Sequence, residues 1–495
     1  MNKNVGLFLT HPLWEKQFFT VLELAEQHVK DGDNVTIYSC KKNMKLCEMI
    51  LADAILGNKS YKQVRKTMCT TCKNCRKKGY DLIGVQFNKK SLICNKFYDT
   101  NKLIANSYFE SHDKFQTLQV GNYDMGWAII SSLIHITRDP FINLIKYKKE
   151  IQQLCDTSVA VYYSALYHID KDKLDIAYLQ NGRLSYTKAI YRACEAKEID
   201  FYTIESGSSL NKYGVFYKMS LHNIAKTTDL IFDYWNSNKN KEEKERIGHS
   251  FYIDRYNGGS EAVRSFVADQ ERNLLPKEWN DEDYNVVIFT SSEDEFVSIS
   301  PEWNNPLYKT QIEGIKQIAE EFYHRNDNCK LYIRVHPNSE EMIDSYKQLL
   351  YQIAGSNVVV IPANSKISTY LLMDKADKVV TFGSTMGIEA TYWGKPSILL
   401  SKSEYYYFEC CHKPQNHKEA MEMIFDKTLQ PITNINILKF GYFFKSFGIP
   451  YKYYKGIDFE KGLFKGISLS DYSLNWHNWR WWKKKLKKLL KIVQI

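Results

Sequence analysis

Residues 379–400 read VVTFGSTMGIEATYWGKPSILL. An apolar run stops abruptly at Gly383-Ser384-Thr385. A helical stretch follows and breaks at Gly394 and Pro396, before a second apolar run at 397–400. Strand, tight turn, helix and strand in that order make half of a nucleotide-binding fold. The turn aims backbone N–H groups and two hydroxyls over the start of the helix. Unpaired donors and partial positive charge there favour a phosphate. Glu389, a little over one helical turn further in, is expected to reach the hydroxyls of a ribose or sugar.

Working outward, strands are predicted at 285–290, 330–335 and 358–361, alternating with helices at 308–322 and 368–373. That spacing predicts a mostly parallel sheet. The first half opens in the same style. A strand at Val5–Thr10 leads to a helix with Phe18, Val21, Leu22 and Ala25 on one face, then a strand at Val35–Ser39. A helical region is predicted at 102–154, with further strands at 158–163, 175–179 and 200–204. The polar stretch LLPKEWNDED at 274–283 marks a boundary. The expected fold is therefore α/β with two Rossmann-like domains. The first covers 1–275, with a cysteine-rich insertion at about 40–94. The second covers 276–430, and 431–495 returns to the first domain and ends in an amphipathic helix.

A chain of 495 residues exceeds a single core. With 44% apolar and 25% charged residues it is of ordinary globular composition. The net charge of +10 is local: 476–495 holds seven lysines and arginines and no acidic residue, leaving +3 elsewhere. The basic balance therefore gives no argument for nucleic acid. In that tail Trp479, Trp482, Leu486, Leu489, Leu490 and Val493 recur at helical spacing, with lysines between them. Such a helix is expected to lie on an anionic membrane surface. The opening MNKNVGLFLTHP enters a strand without a leader pattern, and no apolar run is long enough to span a bilayer. The expected location is cytoplasmic, peripheral to the inner face of the cell membrane.

Ligands of open α/β sheets bind beyond the carboxyl ends of the strands. In the second domain those ends carry Thr290, Ser291, Ser292, His336, Gly383, Ser384 and Thr385, with Glu389 behind them. In the first they carry Thr10, His11, Asn181, Arg183 and Glu205. His11 and Glu205 compete as the catalytic base that takes a hydroxyl proton. Loop polarity alone would explain any one of these residues; the second-domain set together points to function.

Eleven cysteines in a cytosolic chain are expected to be thiols or metal ligands. Cys69, Cys72 and Cys75 form a C-x2-C-x2-C run, with Cys40 and Cys47 upstream and Cys94 downstream. The pattern predicts a zinc or iron–sulfur site on Cys40, Cys47, Cys69 and Cys72, with Cys75 and Cys94 as alternative ligands.

The segments FGSTMGIEATYWGKPSILL (382–400), RVHPN (334–338) and GLFLTHPLW (6–14) together resemble bacterial capsule and lipopolysaccharide glycosyltransferases, the group similar to Kdo transferases and glycerophosphate polymerases. Cys40-x6-Cys47-Glu48 followed by Cys69-x2-Cys72 also resembles a cysteine pattern of some capsule-type transferases. The likeness is sharp at 331–400. It implies a GT-B fold in which the second domain binds a nucleotide sugar. The first domain would bind a lipid-linked or growing glycan acceptor. It also implies that Gly383, Ser384 and Thr385 touch the donor phosphate, that Glu389 touches ribose or sugar, and that His336-Pro337 is the HP motif. The first domain has no acceptor motif that aligns. Rivals on similar parts are a polyol-phosphate transferase, a nucleotide-sugar epimerase and a non-catalytic scaffold of a polysaccharide assembly complex. An epimerase has no need of a basic tryptophan tail.

Overall fold

The computed structural model describes residues 2–98, 104–259, 267–325, 327–458 and 461–469. The N-terminal lobe begins with β1 (Asn4–Leu9), α1 (Glu15–Lys30) and β2 (Asn34–Ser39). Helices α2 (Glu48–Gly57) and α3 (Tyr61–Leu82) precede the edge strand β3 (Asn88–Ser91). A helical layer follows: α4 (His112–Gln116), α5 (Met125–Thr137) and α6 (Lys148–Lys171). The lobe then alternates β4 (Ile176–Gln180), α7 (Ser185–Ala196), β5 (Asp200–Ser206) and β6 (Lys212–Tyr217), and ends in α8 (Ile224–Ser237) and α9 (Lys241–Tyr256).

The C-terminal lobe runs β7 (Tyr284–Phe289), α10 (Gln311–Tyr323), β8 (Cys329–Arg334), α11 (Asp344–Tyr351) and β9 (Val358–Ile361). It continues with α12 (Thr369–Lys375), β10 (Lys378–Thr381), α13 (Met386–Tyr392), β11 (Ser397–Leu399) and α14 (His417–Phe425). Its five strands, in the order β11-β10-β7-β8-β9, are all parallel. Both faces carry helices, so the strands read as continuous apolar runs such as Val286–Phe289.

The chain then crosses back. Helix α15 (Asn436–Ser446) packs on α9, and β12 (Ile449–Pro450) pairs antiparallel with β6. A hairpin of β13 (Tyr454–Gly456) and β14 (Gly462–Phe464) covers α1, where Phe464 stacks on Phe19. The first sheet thus has the order β12-β6-β5-β4-β1-β2-β3, parallel from β5 to β3. Helices α9 and α15 meet through glycines. A Cβ on Gly441 would stand 2.4 Å from the Gly248 carbonyl oxygen, so any side chain there separates the pair. The two Rossmann-like sheets give the α/β, GT-B-like organisation that the sequence predicts.

One predicted strand is helical. Residues 158–163 lie inside α6. Their β-branched and aromatic side chains favour a strand locally, but Ile151, Leu154, Ala165 and Ile169 continue the burial at helical spacing. A helix buried almost all round loses its polar face and reads as a strand. The polar edge strand β3, NKKS, was not foreseen; lysines on an edge discourage further pairing. The predicted amphipathic helix at 476–495 lies outside the described residues.

Candidate active-site cleft

The lobes meet at the carboxyl ends of both sheets. Arg138, at the end of α5, pairs with Asp294 beyond β7 at 2.5 Å. Glu302 accepts the Ile224 and Ala225 N–H groups, each at 3.0 Å, and so caps α8 from the other lobe. Trp303 Nε1 donates to the His222 carbonyl at 2.6 Å.

On the C-terminal side, Gly383 has φ +102°, and a Cβ there would meet the Lys402 carbonyl oxygen at 2.6 Å. Only glycine makes this turn. Ser384 is buried, its carbonyl accepting the Tyr405 hydroxyl, and Thr385 is half-buried. Thr385 Oγ1 accepts from Arg255 Nη2 at 3.2 Å, and Arg255 Nε donates to Glu389 Oε1 at 3.0 Å. Glu389 is fully buried, and its second oxygen accepts the Tyr370 hydroxyl at 2.7 Å. Glu389 therefore offers no open oxygen to a ribose, contrary to the sequence expectation; it holds Arg255 at the turn. Burial opposes the Arg255 charge, but Glu389 and Tyr370 more than offset it and keep the guanidinium above its ordinary pKa.

Ser291 and Ser292 are likewise committed within the lobe. Ser291 Oγ donates to the Phe382 carbonyl at 2.8 Å, tying the end of β7 to the turn. Ser292 Oγ donates to Asp294 at 2.7 Å. Both residues are at most 3% exposed, so they shape the site rather than line it. His336 is half-buried, and its Nδ1 accepts the Asn338 N–H at 3.2 Å. Burial, with Arg334, Arg138 and Arg255 nearby, lowers its pKa to about 4. The ring is neutral at physiological pH and keeps its proton on Nε2, which makes it a hydrogen-bond donor.

On the N-terminal side, Asn181 (φ +38°) accepts the Arg183 N–H at 2.8 Å in a tight turn after β4. Arg183 Nε donates to Ser131 Oγ at 2.8 Å, while Nη2 is buried without a partner among the described residues. Burial lowers the Arg183 pKa to about 10, against the opposing pull of the Glu295 and Asp294 charges of one lobe and Glu205 of the other. Glu205, at the end of β5, is bonded by the Asn181 side chain and the Ser206 amide. Desolvation still lifts its carboxyl to about 7. Lys16, on α1, has a buried Nζ without a hydrogen-bond partner among the described residues, and burial lowers its pKa to about 8. Glu295 is open to solvent yet has its carboxyl raised to about 7, first by desolvation and then by Asp294.

His11 is not part of this wall. It is 2% exposed, with Nδ1 2.8 Å from Thr10 Oγ1 and Nε2 3.0 Å from Glu48 Oε2. Glu48 Oε1 accepts Ser132 and Ser185 hydroxyls at 2.6 and 2.5 Å. Both His11 ring nitrogens are spent inside the lobe, so the structure removes it as a cleft-facing base. The expected metal set also needs correction. Among the described residues no three His, Cys, Asp or Glu side chains are arranged to hold a metal ion. Cys40, Cys47, Cys69 and Cys72 nevertheless line one cavity, whereas Cys94 lies beside Ser164 and His168. Arg255, Lys16 and Glu295 escape sequence reading because no motif links them to the turn; Arg255 and Glu389 lie 134 residues apart.

Residues 269–422 match the family of capsule polysaccharide biosynthesis proteins. No curated protein matches the chain. Solved structures similar to it include the β-Kdo 2,4 transferase of Thermosulfurimonas dismutans KpsC, at 12% identity over 54% of this chain and 79% of that one, TM-score 0.36. The β-Kdo 2,7 transferase of the same protein matches at 14% over 64% and 89%, TM-score 0.33. The UDP-GlcNAc 2-epimerase of Neisseria meningitidis matches at 12% over 89% and 97%, TM-score 0.27. The stretch matched by the capsule polysaccharide biosynthesis family, residues 269–422, carries the whole of the Gly383-Ser384-Thr385 turn.

Proposed function

We propose that the protein is a glycosyltransferase of bacterial surface-polysaccharide synthesis. It takes a sugar from a nucleotide donor held by the C-terminal lobe and passes it to a lipid-linked or growing glycan held by the N-terminal lobe. The observation that supports this is that the strand-end loops of the two lobes meet, through Arg138–Asp294 and Glu302 on the start of α8, with Arg183 feeling the charges of Glu205 on one lobe and of Asp294 and Glu295 on the other. Strand ends of both sheets contribute charge to one gap. With its pKa near 7, Glu205 is suited to take the acceptor hydroxyl proton. The departing phosphate is the largest developing charge. At the turn before α13, the Thr385 hydroxyl and Arg255 are the groups placed to oppose it. Glu389 serves indirectly, by fixing Arg255. Residues 476–495 would hold the enzyme at an anionic membrane, where lipid-linked acceptors reside.

The test is a panel of nucleotide sugars offered with lipid-linked glycan acceptors. Transfer, donor hydrolysis or a raised unfolding temperature with one nucleotide supports the reading. Failure of every nucleotide to shift the unfolding transition overturns it in favour of a scaffold. Deleting 476–495 should release the protein from anionic vesicles; persistent co-sedimentation removes the tail from the account.

A further inference from the structure

We propose that Lys16 and Arg183 of the N-terminal lobe hold an anionic group of the acceptor, a phosphate or a carboxylate, beside Glu205. The acceptor role rests on the glycosyltransferase reading above; the anion site rests on the lobe's own geometry. The three residues come from neighbouring strand ends. Strand β1 pairs with β4 and β4 with β5, all parallel. Lys16 lies in the first turn of α1, the helix that follows β1. Arg183 lies in the short loop between β4 and α7, and Glu205 is next to last in β5. All three therefore sit at the carboxyl edge of the sheet, where ligands of α/β folds bind.

Two cations at that edge lack an acceptor. Lys16 is only 9% exposed, and its Nζ is enclosed without a hydrogen-bond partner among the described residues. Arg183 Nε is satisfied by Ser131, but Nη2 is enclosed and without a partner among the described residues. A buried charged donor with nothing to donate to is costly, and native structures supply a partner, a water or an ion. The charge of Glu205 reaches both cations. Its carboxyl is bonded by the Asn181 side chain and the Ser206 amide, and neither Lys16 Nζ nor Arg183 Nη2 donates to it. Asp294 pairs with Arg138, and Glu295 accepts from the Asn338 side chain at 2.5 Å. A neutral sugar hydroxyl would satisfy the donors and leave the charges. An oxyanion satisfies both, through charge-assisted hydrogen bonds. Burial lowers the Lys16 pKa to about 8 in spite of Glu205, as expected of an ammonium short of countercharge. The donor phosphate has its own groups, Thr385 and Arg255, on the other side of the cleft. The anion at Lys16 and Arg183 is thus assigned to the acceptor, next to the residue suited to take its hydroxyl proton.

The test is thermal unfolding and calorimetric titration of the full chain, without nucleotide, against inorganic phosphate, glucuronate and glucose at matched ionic strength in sodium chloride. Phosphate or glucuronate should bind saturably and raise the unfolding temperature, while glucose should not. Phosphate alone would identify a phosphate-bearing acceptor and glucuronate alone an acidic sugar. Lys16→Met and Arg183→Met should each weaken the binding by about tenfold or more. Without anion, Lys16→Met should be at least as stable as the wild type, because it removes an unpaired buried charge; a lysine with a purely structural role would show the reverse. Arg255→Leu, in the donor lobe, should keep the anion response. No binding of either anion, a response that survives Lys16→Met, or one abolished by Arg255→Leu overturns the proposal. The wild type and Arg255→Leu decide the matter even where Lys16→Met fails to fold. An anion response with no response to any nucleotide sugar upholds the site and overturns the transferase reading instead.

Discussion

Arg255 of α9 and Glu389 of α13 form an ion pair at 2.9 Å that joins the last helix before the C-terminal lobe to the helix behind the candidate phosphate turn. The Glu389 side chain is fully buried and that of Arg255 is 26% exposed. Removing one partner of such a pair strands the other in a dry site, at a cost of about 3–5 kcal/mol when both are buried. The partial exposure of Arg255 lowers the figure. Arg255→Leu should therefore destabilise the protein by about 2–3 kcal/mol in urea unfolding, and Arg255→Leu with Glu389→Leu should recover much of the loss. A double variant as weak as the sum of the two single variants would refute the coupling.

The turn itself makes a second prediction. Gly383→Ala places a Cβ against the Lys402 carbonyl at a φ that L-residues rarely adopt. Strain of this kind costs of order 1–3 kcal/mol, before the clash is counted. The variant should unfold at lower urea and lose nucleotide binding together. Gly394, also at positive φ but with nothing within 4 Å of a Cβ, provides the control. Gly394→Ala should lose stability but keep its affinity for nucleotide.

These contrasts also show what was legible in the sequence. The turn at 383–385 was readable because its strand, bend and helix are contiguous, and local chemistry decides each. The strands β7, β8 and β10 were readable for the same reason: parallel strands buried on both faces give unbroken apolar runs. The partners of the turn were not. Glu389 sits where a sugar-binding acid is expected, and only the arrival of Arg255 from a distant helix shows that its oxygens are taken. His11 follows a strand as a catalytic base would, but α2 brings Glu48 over it. The segment 158–163 misled because a helix without a polar face has no 3.6-residue signature.

The His11–Glu48 network yields a stability prediction with a pH sign. Burial alone would raise the Glu48 pKa, but His11 and the hydroxyls of Ser132 and Ser185 hold it below its ordinary value. A depressed folded pKa means that its stabilisation is complete above the unfolded value of 4.5 and lost as pH falls through the folded one. Glu48→Ala should cost about 3–5 kcal/mol at pH 7, by leaving His11 and two hydroxyls without their shared acceptor. The difference from wild type should shrink as the pH is taken well below 4.5; a gap independent of pH would show that cavity formation, not charge, sets the loss.

Glu205 carries the opposite sign, and this separates a catalytic role from a structural one. Its folded pKa of about 7 lies above the unfolded value of 4.5, so the native state binds the extra proton between the two. Stability is fully present below 4.5 and falls as pH rises through 7. Glu205→Gln mimics the protonated form. It should therefore match wild type at pH 4.5 and exceed it by about 1–3 kcal/mol at pH 8, measured by urea unfolding. The same variant should transfer sugar about 10²–10⁴-fold more slowly while binding nucleotide unchanged, because a base acts on the acceptor and not on the donor. Wild-type transfer should fall one proton at a time below pH 7, and the residual rate of the variant should lack that limb. A variant that gains stability at high pH but keeps its rate and its acid limb would leave Glu205 a strained wall residue, with the base elsewhere in the cleft. Glu295, raised to about 7 on the facing lobe, would then be the next residue to replace.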